Sequence, residues 1–230
     1  MVSISILIPV YNGIEYLEEC VISVIQQTFT DWELLIGING HGITGGDAAI
    51  IAQQLVKDPR IRIIIQPPPL HGKVESLHGL LPLCSASWIA VLDCDDKWEP
   101  LKLERQMEVL LSDAQHADVI GTFCQYFGER HDRITLPSGY VDPLILVEYN
   151  PIINSSALIK KERCNWKYTD MNYVLEDFAL WMEICLQGGK LYNIPEYLTW
   201  HRIHSTSAFN TKGYSDEAIR VGYKEKFYIK

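Results

Sequence analysis

The sequence predicts an α/β domain built on a mainly parallel sheet with helices on both faces. Three observations carry that prediction. Short β-branched runs recur through residues 1–98, segments of helical periodicity separate them, and the runs are apolar almost throughout, as strands covered on both faces require. A length of 230 residues with 47% hydrophobic composition suits one domain with a sizeable core, so residues 1–230 are read as a single domain with halves 1–98 and 99–230.

The run Ser3 to Val10 is a buried strand that stops at the turn pair Asn12-Gly13. Leu17, Val21, Val24 and Ile25 then recur at helical spacing to about residue 27. Trp32 to Ile38 is the second strand. Gly40 to Gly46 is a loop, and Asp47 caps a helix to about Val56. Ile61 to Ile65 is the third strand, closed by Pro67-Pro68-Pro69, and a helix from about Gly72 to Cys84 leads to a fourth strand, Trp88 to Leu92. The second half predicts a helix over Leu101 to Leu111, a strand over Val119 to Phe127, a helix over Val141 to Tyr149 and a short strand over Ser156 to Ile159. Asp177 to Gln187 is amphipathic, with Leu180, Ile184 and Trp181 inward, and ends at the C-cap pair Gly188-Gly189. The polar segment Gly128 to Arg133 and the tail after Phe209 are expected to be the mobile parts.

Composition excludes several classes. A formal charge of −9 with no cluster of Lys and Arg argues against nucleic acid, which demands clustered cations. An acidic protein that handles a phosphorylated ligand needs positive charge from elsewhere, and a divalent cation is the obvious source. No stretch reaches the roughly 20 apolar residues of a membrane span, and Met1 leads straight into a strand without a leader pattern. The expected location is therefore the cytoplasm, with peripheral attachment to a membrane left open. Six scattered cysteines without a C-x-x-C pair suggest buried thiols, neither zinc ligands nor a disulfide framework.

The strongest chemical signal is Leu92-Asp93-Cys94-Asp95-Asp96, directly after an apolar strand. Ligands of open α/β sheets bind outside the carboxyl ends of the strands, so acids placed there face the crevice. Carboxylates two apart in a turn converge on a hard cation and leave positions for phosphate oxygens; a solvated acidic turn ahead of the next helix is the plainer alternative. Glu176-Asp177 opens a helix, where acids also favour the dipole.

Ile8-Pro9-Val10-Tyr11-Asn12, the Leu92 to Trp98 stretch, Leu175-Glu176-Asp177-Phe178-Ala179-Leu180-Trp181 and His201-Arg202-Ile203-His204 together resemble the inverting family 2 glycosyltransferases of the GT-A fold. The resemblance spans nearly the whole chain, with the motifs in the expected order. It implies a Rossmann-like domain for nucleotide-diphospho-sugars, with residues 1–98 as the nucleotide-binding half and 99–230 as the acceptor-side half. It implies that Pro9, Tyr11 and Asn12 meet the base and ribose. Asp93 would contact the ribose and metal region, and Asp95, with Asp93 and His204 near it, would hold Mn²⁺ or Mg²⁺ against the diphosphate. Asp177 resembles the catalytic base, with Glu176 beside it. Lys73 is a candidate for the diphosphate or donor sugar, an exposed lysine being the alternative.

One departure concerns the end of the second strand. The family usually carries an acidic pair there whose aspartate bonds the base, whereas this chain reads Gly37-Ile38-Asn39-Gly40. Asn39 can still bond a base edge, but unlike a carboxylate it also donates, which weakens a uracil contact without excluding it; a UDP-sugar stays the favoured donor, with the base not fixed. The acceptor is a glycan, glycolipid or glycoprotein hydroxyl, and Asn150 to Ser156 with Trp166 and Trp181 are candidates for its side of the crevice. Two other functions compete: a nucleotidyltransferase, disfavoured because Pro9 to Gly13 lacks Lys and Arg, and a non-catalytic nucleotide-sugar-binding module, disfavoured because the acids are present.

Overall fold

The computed structural model describes residues 3–39, 57–66, 72–167, 175–205 and 217–228. The Gly40 to Gly46 loop, the helix expected to Val56 and the Pro67 to Pro69 stop lie outside them. The expected strands form as β1 (Ile4–Val10), β2 (Trp32–Ile38), β3 (Ile61–Ile65) and β4 (Trp88–Val91), all parallel, in the order β3-β2-β1-β4. Helix α1 (Leu17–Ile25) follows β1, and α2 (Lys73–Leu80) precedes β4. β1 is buried at every position because its two sides feed two cores. Ile4, Ile6, Ile8 and Val10 pack with α1 and with α3 (Lys102–Leu111) through Leu103. Leu7 faces Val74 and Leu77 of α2 and Phe178 and Trp181 of α4 (Glu176–Leu186).

The sheet continues through β9 (Leu158–Lys160), β6 (Val119–Gly128), β10 (Leu191–Ile203) and β5 (Lys97–Trp98), with two short strands, β7 (Arg133–Ile134) and β8 (Gly139–Tyr140), off this path. β9 inserts antiparallel between β4 and β6, and β10 runs parallel to β6. The end of α4 matches expectation closely: Gly188 has φ 80, Gly189 N donates to Ile184 O and Gly188 N to Cys185 O, which closes the last turn through a left-handed glycine.

Two expected elements are corrected, and two segments take a form not read from the sequence. Val141 to Tyr149 is not an α-helix but a 3₁₀ segment, Pro143–Val147, capped by Asp142 accepting from Leu144 N at 2.9 Å. Pro143 starts it, its fixed φ and missing N–H suiting a first position. The strand expected from Ser156 begins only at Leu158, because Asn154–Ser156 is a tight turn with Ala157 N donating to Asn154 O. Gly128 to Arg133 is the turn of a hydrogen-bonded hairpin between β6 and β7, with Tyr126 N donating to Asp132 O at 2.7 Å. Part of the tail after Phe209 is a helix, α5 (Glu217–Tyr228), whose Tyr223 is buried in the core.

Candidate active site

β4 ends at Val91 opposite Leu7, three residues before the end of β1, and Leu92 N donates to Leu7 O before the chain turns through Asp93 to Asp96. The three carboxylates of this turn have different surroundings. Asp93 pairs with Lys73 Nζ at 2.5 Å and accepts from Asn154 Nδ2 at 3.3 and 3.2 Å. Burial would raise this carboxyl, but Lys73 outweighs burial and holds it below the usual carboxylate range. Asp96 is 1% exposed and fully engaged: it accepts from Ser155 Oγ at 2.5 Å, His201 Nδ1 at 2.9 Å and Arg202 N at 2.8 Å. Burial opposes the charge on His201, yet Asp96 raises the ring to about 9. Asp95 has no such compensation. Burial, then the Asp96 and Asp93 charges, push it up to about 6, and the contact with His204 Nε2 at 3.0 Å offsets this only in part.

The second acid pair reaches the same place from α4. Glu176 is buried and pairs with Lys73 Nζ at 3.0 Å, so one lysine bridges Asp93 and Glu176. Although burial works against it, the Asp93 and Glu176 charges hold Lys73 well above the usual lysine range. Asp177, also buried, is pushed up to about 7 by burial and by Glu176 beside it, and its Oδ2 accepts from Asn150 Nδ2 at 3.0 Å.

Lys73 stands at the start of α2 because Gly72 takes φ 134, a conformation that favours glycine. Asn39, at the end of β2, donates from Nδ2 to Gly72 O at 2.8 Å, while its Oδ1 is buried without a partner among the described residues. Asn154 Oδ1 is orphaned in the same way beside Asp93. Each is an acceptor oxygen whose desolvation is uncompensated by the protein.

The structure thus brings Lys73, Asp93, Glu176 and Asp177 together, with Asp95 of the same turn as Asp93 in contact with His204, just past β10. Pro9 is buried within β1 opposite Gly37. Tyr11 is half exposed just past the strand, and Asn12 offers its carbonyl to Cys94 Sγ at 3.2 Å. Trp166 and Trp181 are not on the acceptor side: they are 1% and 0% exposed in the core, and Trp181 Nε1 donates to Ile152 O at 3.2 Å. Their size favours burial over contact with a sugar. Sequence reasoning missed the roles of Asp96, His201 and Ser155 in bracing the turn; Asp96 and His201 stood inside motifs already singled out.

The sequence model described as Glycosyl transferase family 2 matches residues 5–170, and the chain belongs to that family. It is a glycosyltransferase with the GT-A fold. Among its relatives is the UDP-Glc:alpha-D-GlcNAc-diphosphoundecaprenol beta-1,3-glucosyltransferase WfaP of Escherichia coli, 26% identical over 213 residues that cover 91% of this chain and 80% of the relative. Among solved structures, TarS 1–349 of S. aureus in complex with UDP-GlcNAc superposes with a TM-score of 0.74 at 13% identity, over 99% of this chain and 65% of that one. The mannosyltransferase PcManGT from Pyrobaculum calidifontis in complex with GDP-Man and Mn²⁺ follows with a TM-score of 0.66 at 15% identity, over 99% of this chain and 64% of that one. Among the described residues no helix is long and apolar enough to cross a membrane.

Proposed function

We propose that this chain transfers a sugar from a nucleotide diphosphate sugar, with a UDP-sugar favoured, to an acceptor hydroxyl with inversion at the anomeric carbon, and that Asp177 is the base. The observation that carries this reading is the state of Asp177: a buried carboxyl at the crevice, held up to about 7 beside a lysine-paired neighbour. A base works best with its pKa near the working pH. Asp177 takes the proton of the acceptor hydroxyl as that oxygen bonds to the anomeric carbon. The bond from that carbon to the diphosphate oxygen breaks on the opposite face, and the electron pair leaves with the nucleoside diphosphate. Lys73 keeps Asp93 ionised, pairs with Glu176 and supplies positive charge near the leaving group. The orphaned Asn39 Oδ1 and Asn154 Oδ1 suit donors on the nucleotide and the sugar.

The GT-A family implies a divalent cation, and the residues present fit one. Among the described residues no three acidic, histidine or cysteine side chains gather to hold a cation by themselves. Asp95 and His204 do touch, and Asp95 bears a charge that burial and two carboxylates disfavour, which a cation would relieve. Mn²⁺ and Mg²⁺ sites built on one or two protein ligands are completed by substrate phosphates and water. Asp95 and His204 would hold the ion, with Asp93 bordering it, and the ion would supply charge against the diphosphate.

The test is incubation with a panel of nucleotide sugars, with Mn²⁺ and then with excess chelator. The expected result is slow release of nucleoside diphosphate with Mn²⁺ and none with chelator. Full turnover in chelator overturns the metal role; pyrophosphate release from a nucleoside triphosphate and a sugar phosphate, or binding without turnover, overturns the transferase reading.

A further inference from the structure

The segment Asn150 to Ser156 joins the 3₁₀ turn at Pro143–Val147 to β9 and is more ordered by side-chain bonds than a connection requires. Pro151 biases Asn150 toward extended backbone. The Asn150 side chain folds over the next residues, and its Oδ1 accepts from Ile152 N at 3.2 Å. That bond settles which end of the amide is which, because the reversed amide would set NH₂ against an N–H and an oxygen against a carboxylate. The remaining donor, Nδ2, lies 3.0 Å from Asp177 Oδ2.

The segment is fastened from three sides. Pro151 O accepts from Asn193 Nδ2 of β10 at 2.8 Å, Ile152 O from Trp181 Nε1 of α4 at 3.2 Å, and Ser156 O from Gln106 Nε2 of α3 at 2.9 Å. Gly121 of β6 permits the close fit, since a Cβ there would meet Ile152 Cδ1 at 3.0 Å as well as the Asn193 side chain. From this support the segment bonds acids of both elements: Asn150 meets Asp177, Asn154 meets Asp93, and Ser155 meets Asp96.

We propose that Asn150 is the positioning residue of the base: by donating to one oxygen of Asp177 it fixes the carboxylate plane and leaves the other oxygen to face the acceptor hydroxyl. The inference rests on Asp177 being the base. The charged groups facing Asp177 are Glu176 on its own helix and Lys73 of α2, which also binds Asp93 of the β4 turn. Both act on Asp177 through charge; the hydrogen bonds to its carboxylate come from the Phe178 backbone N–H at the helix start and from the Asn150 amide, which alone among the described residues reaches it from outside its own helix. The Asn150 amide also favours the ionised form, because a hydrogen bond to a charged acceptor is stronger than one to a neutral acceptor.

The test compares Asn150→Ala and Asn150→Asp with the unaltered chain in pH profiles of kcat/KM under saturating Mn²⁺. Asn150→Ala is expected to lower kcat about tenfold with donor KM unchanged, and to move the acid limb of the profile up by roughly half a unit to one unit. Asn150→Asp sets a like charge against Asp177 and moves the limb further in the same direction. A merely structural role would lower the melting temperature and the active fraction while leaving the limb where it was. That result in either folded variant, or a normal kcat in Asn150→Ala, overturns the proposal. If Asp177→Asn itself turns over normally, the reading of the base has failed instead.

Discussion

The two acid pairs of the crevice differ in origin and share one electrostatic design. Asp93 and Asp95 come from a turn after a parallel strand; Glu176 and Asp177 come from a helix start. In each pair one acid is compensated and the other is not. Lys73 neutralises Asp93 and Glu176 together, whereas Asp95 is pushed up to about 6 and Asp177 up to about 7 by burial and their acidic neighbours. The contrast separates acids that hold the site together from acids held ready for a ligand or a proton. Asp96 belongs with the first kind, because three donors satisfy it in the core.

The largest effect that sharpens this contrast is expected for Asp95→Asn. Turnover should fall about 10²-fold or more if Asp95 holds the proposed cation, because a charged ligand of the ion that offsets charge on the leaving diphosphate is then lost. Stability should hold or rise by about 1 kcal/mol, since the substitution removes one of three crowded carboxylates. A melting temperature that drops along with activity would show that Asp95 is a structural acid like Asp96.

Lys73→Met should do the reverse. Removing the shared cation strands two carboxylates, and stability should fall by about 2 to 3 kcal/mol, less than for a fully buried pair because the Lys73 side chain is 24% exposed. Denaturant unfolding measures it. An unchanged midpoint would mean that the bridge contributes nothing.

The smallest effect concerns the brace behind the turn. His201 is raised to about 9 in the folded chain by Asp96, above an unfolded value near 6.5. Its contribution is therefore fully present below about pH 6.5 and is lost as pH rises through about 9. Stability followed across that window should decline by about 2 kcal/mol more in the unaltered chain than in His201→Gln. Parallel curves would remove the His201–Asp96 pair from the stability account.

The first half of the fold was legible because β1, β2 and β4 are buried almost throughout and read as near-continuous apolar runs, while the edge strand β3, half exposed and interrupted by Arg62, still carries four isoleucines. The second half hid β10, which spans Leu191–Ile203 but carries Pro195 and Glu196 at a register shift against β6. A local pattern broken in this way does not announce a strand. Acids in the site were legible as types at strand and helix ends. Their division of labour was not, because it depends on Lys73 and Asn150, whose partners lie far along the chain. Trp166 and Trp181 misled for a related reason: an aromatic near a functional motif suggests a sugar platform until its burial is seen.

The most direct measurement sets turnover of Asp177→Asn beside that of Glu176→Gln, with donor affinity of both variants followed by thermal shift in the presence of Mn²⁺. Asp177→Asn keeps the shape of the side chain and removes its basic site, so turnover is expected to fall by about 10²-fold or more with donor affinity little changed. Glu176→Gln, which loses a charge paired to Lys73, is expected to cost less turnover and more donor affinity. Normal turnover by Asp177→Asn with loss in Glu176→Gln would reverse the assignment, and activity in both would place the base elsewhere.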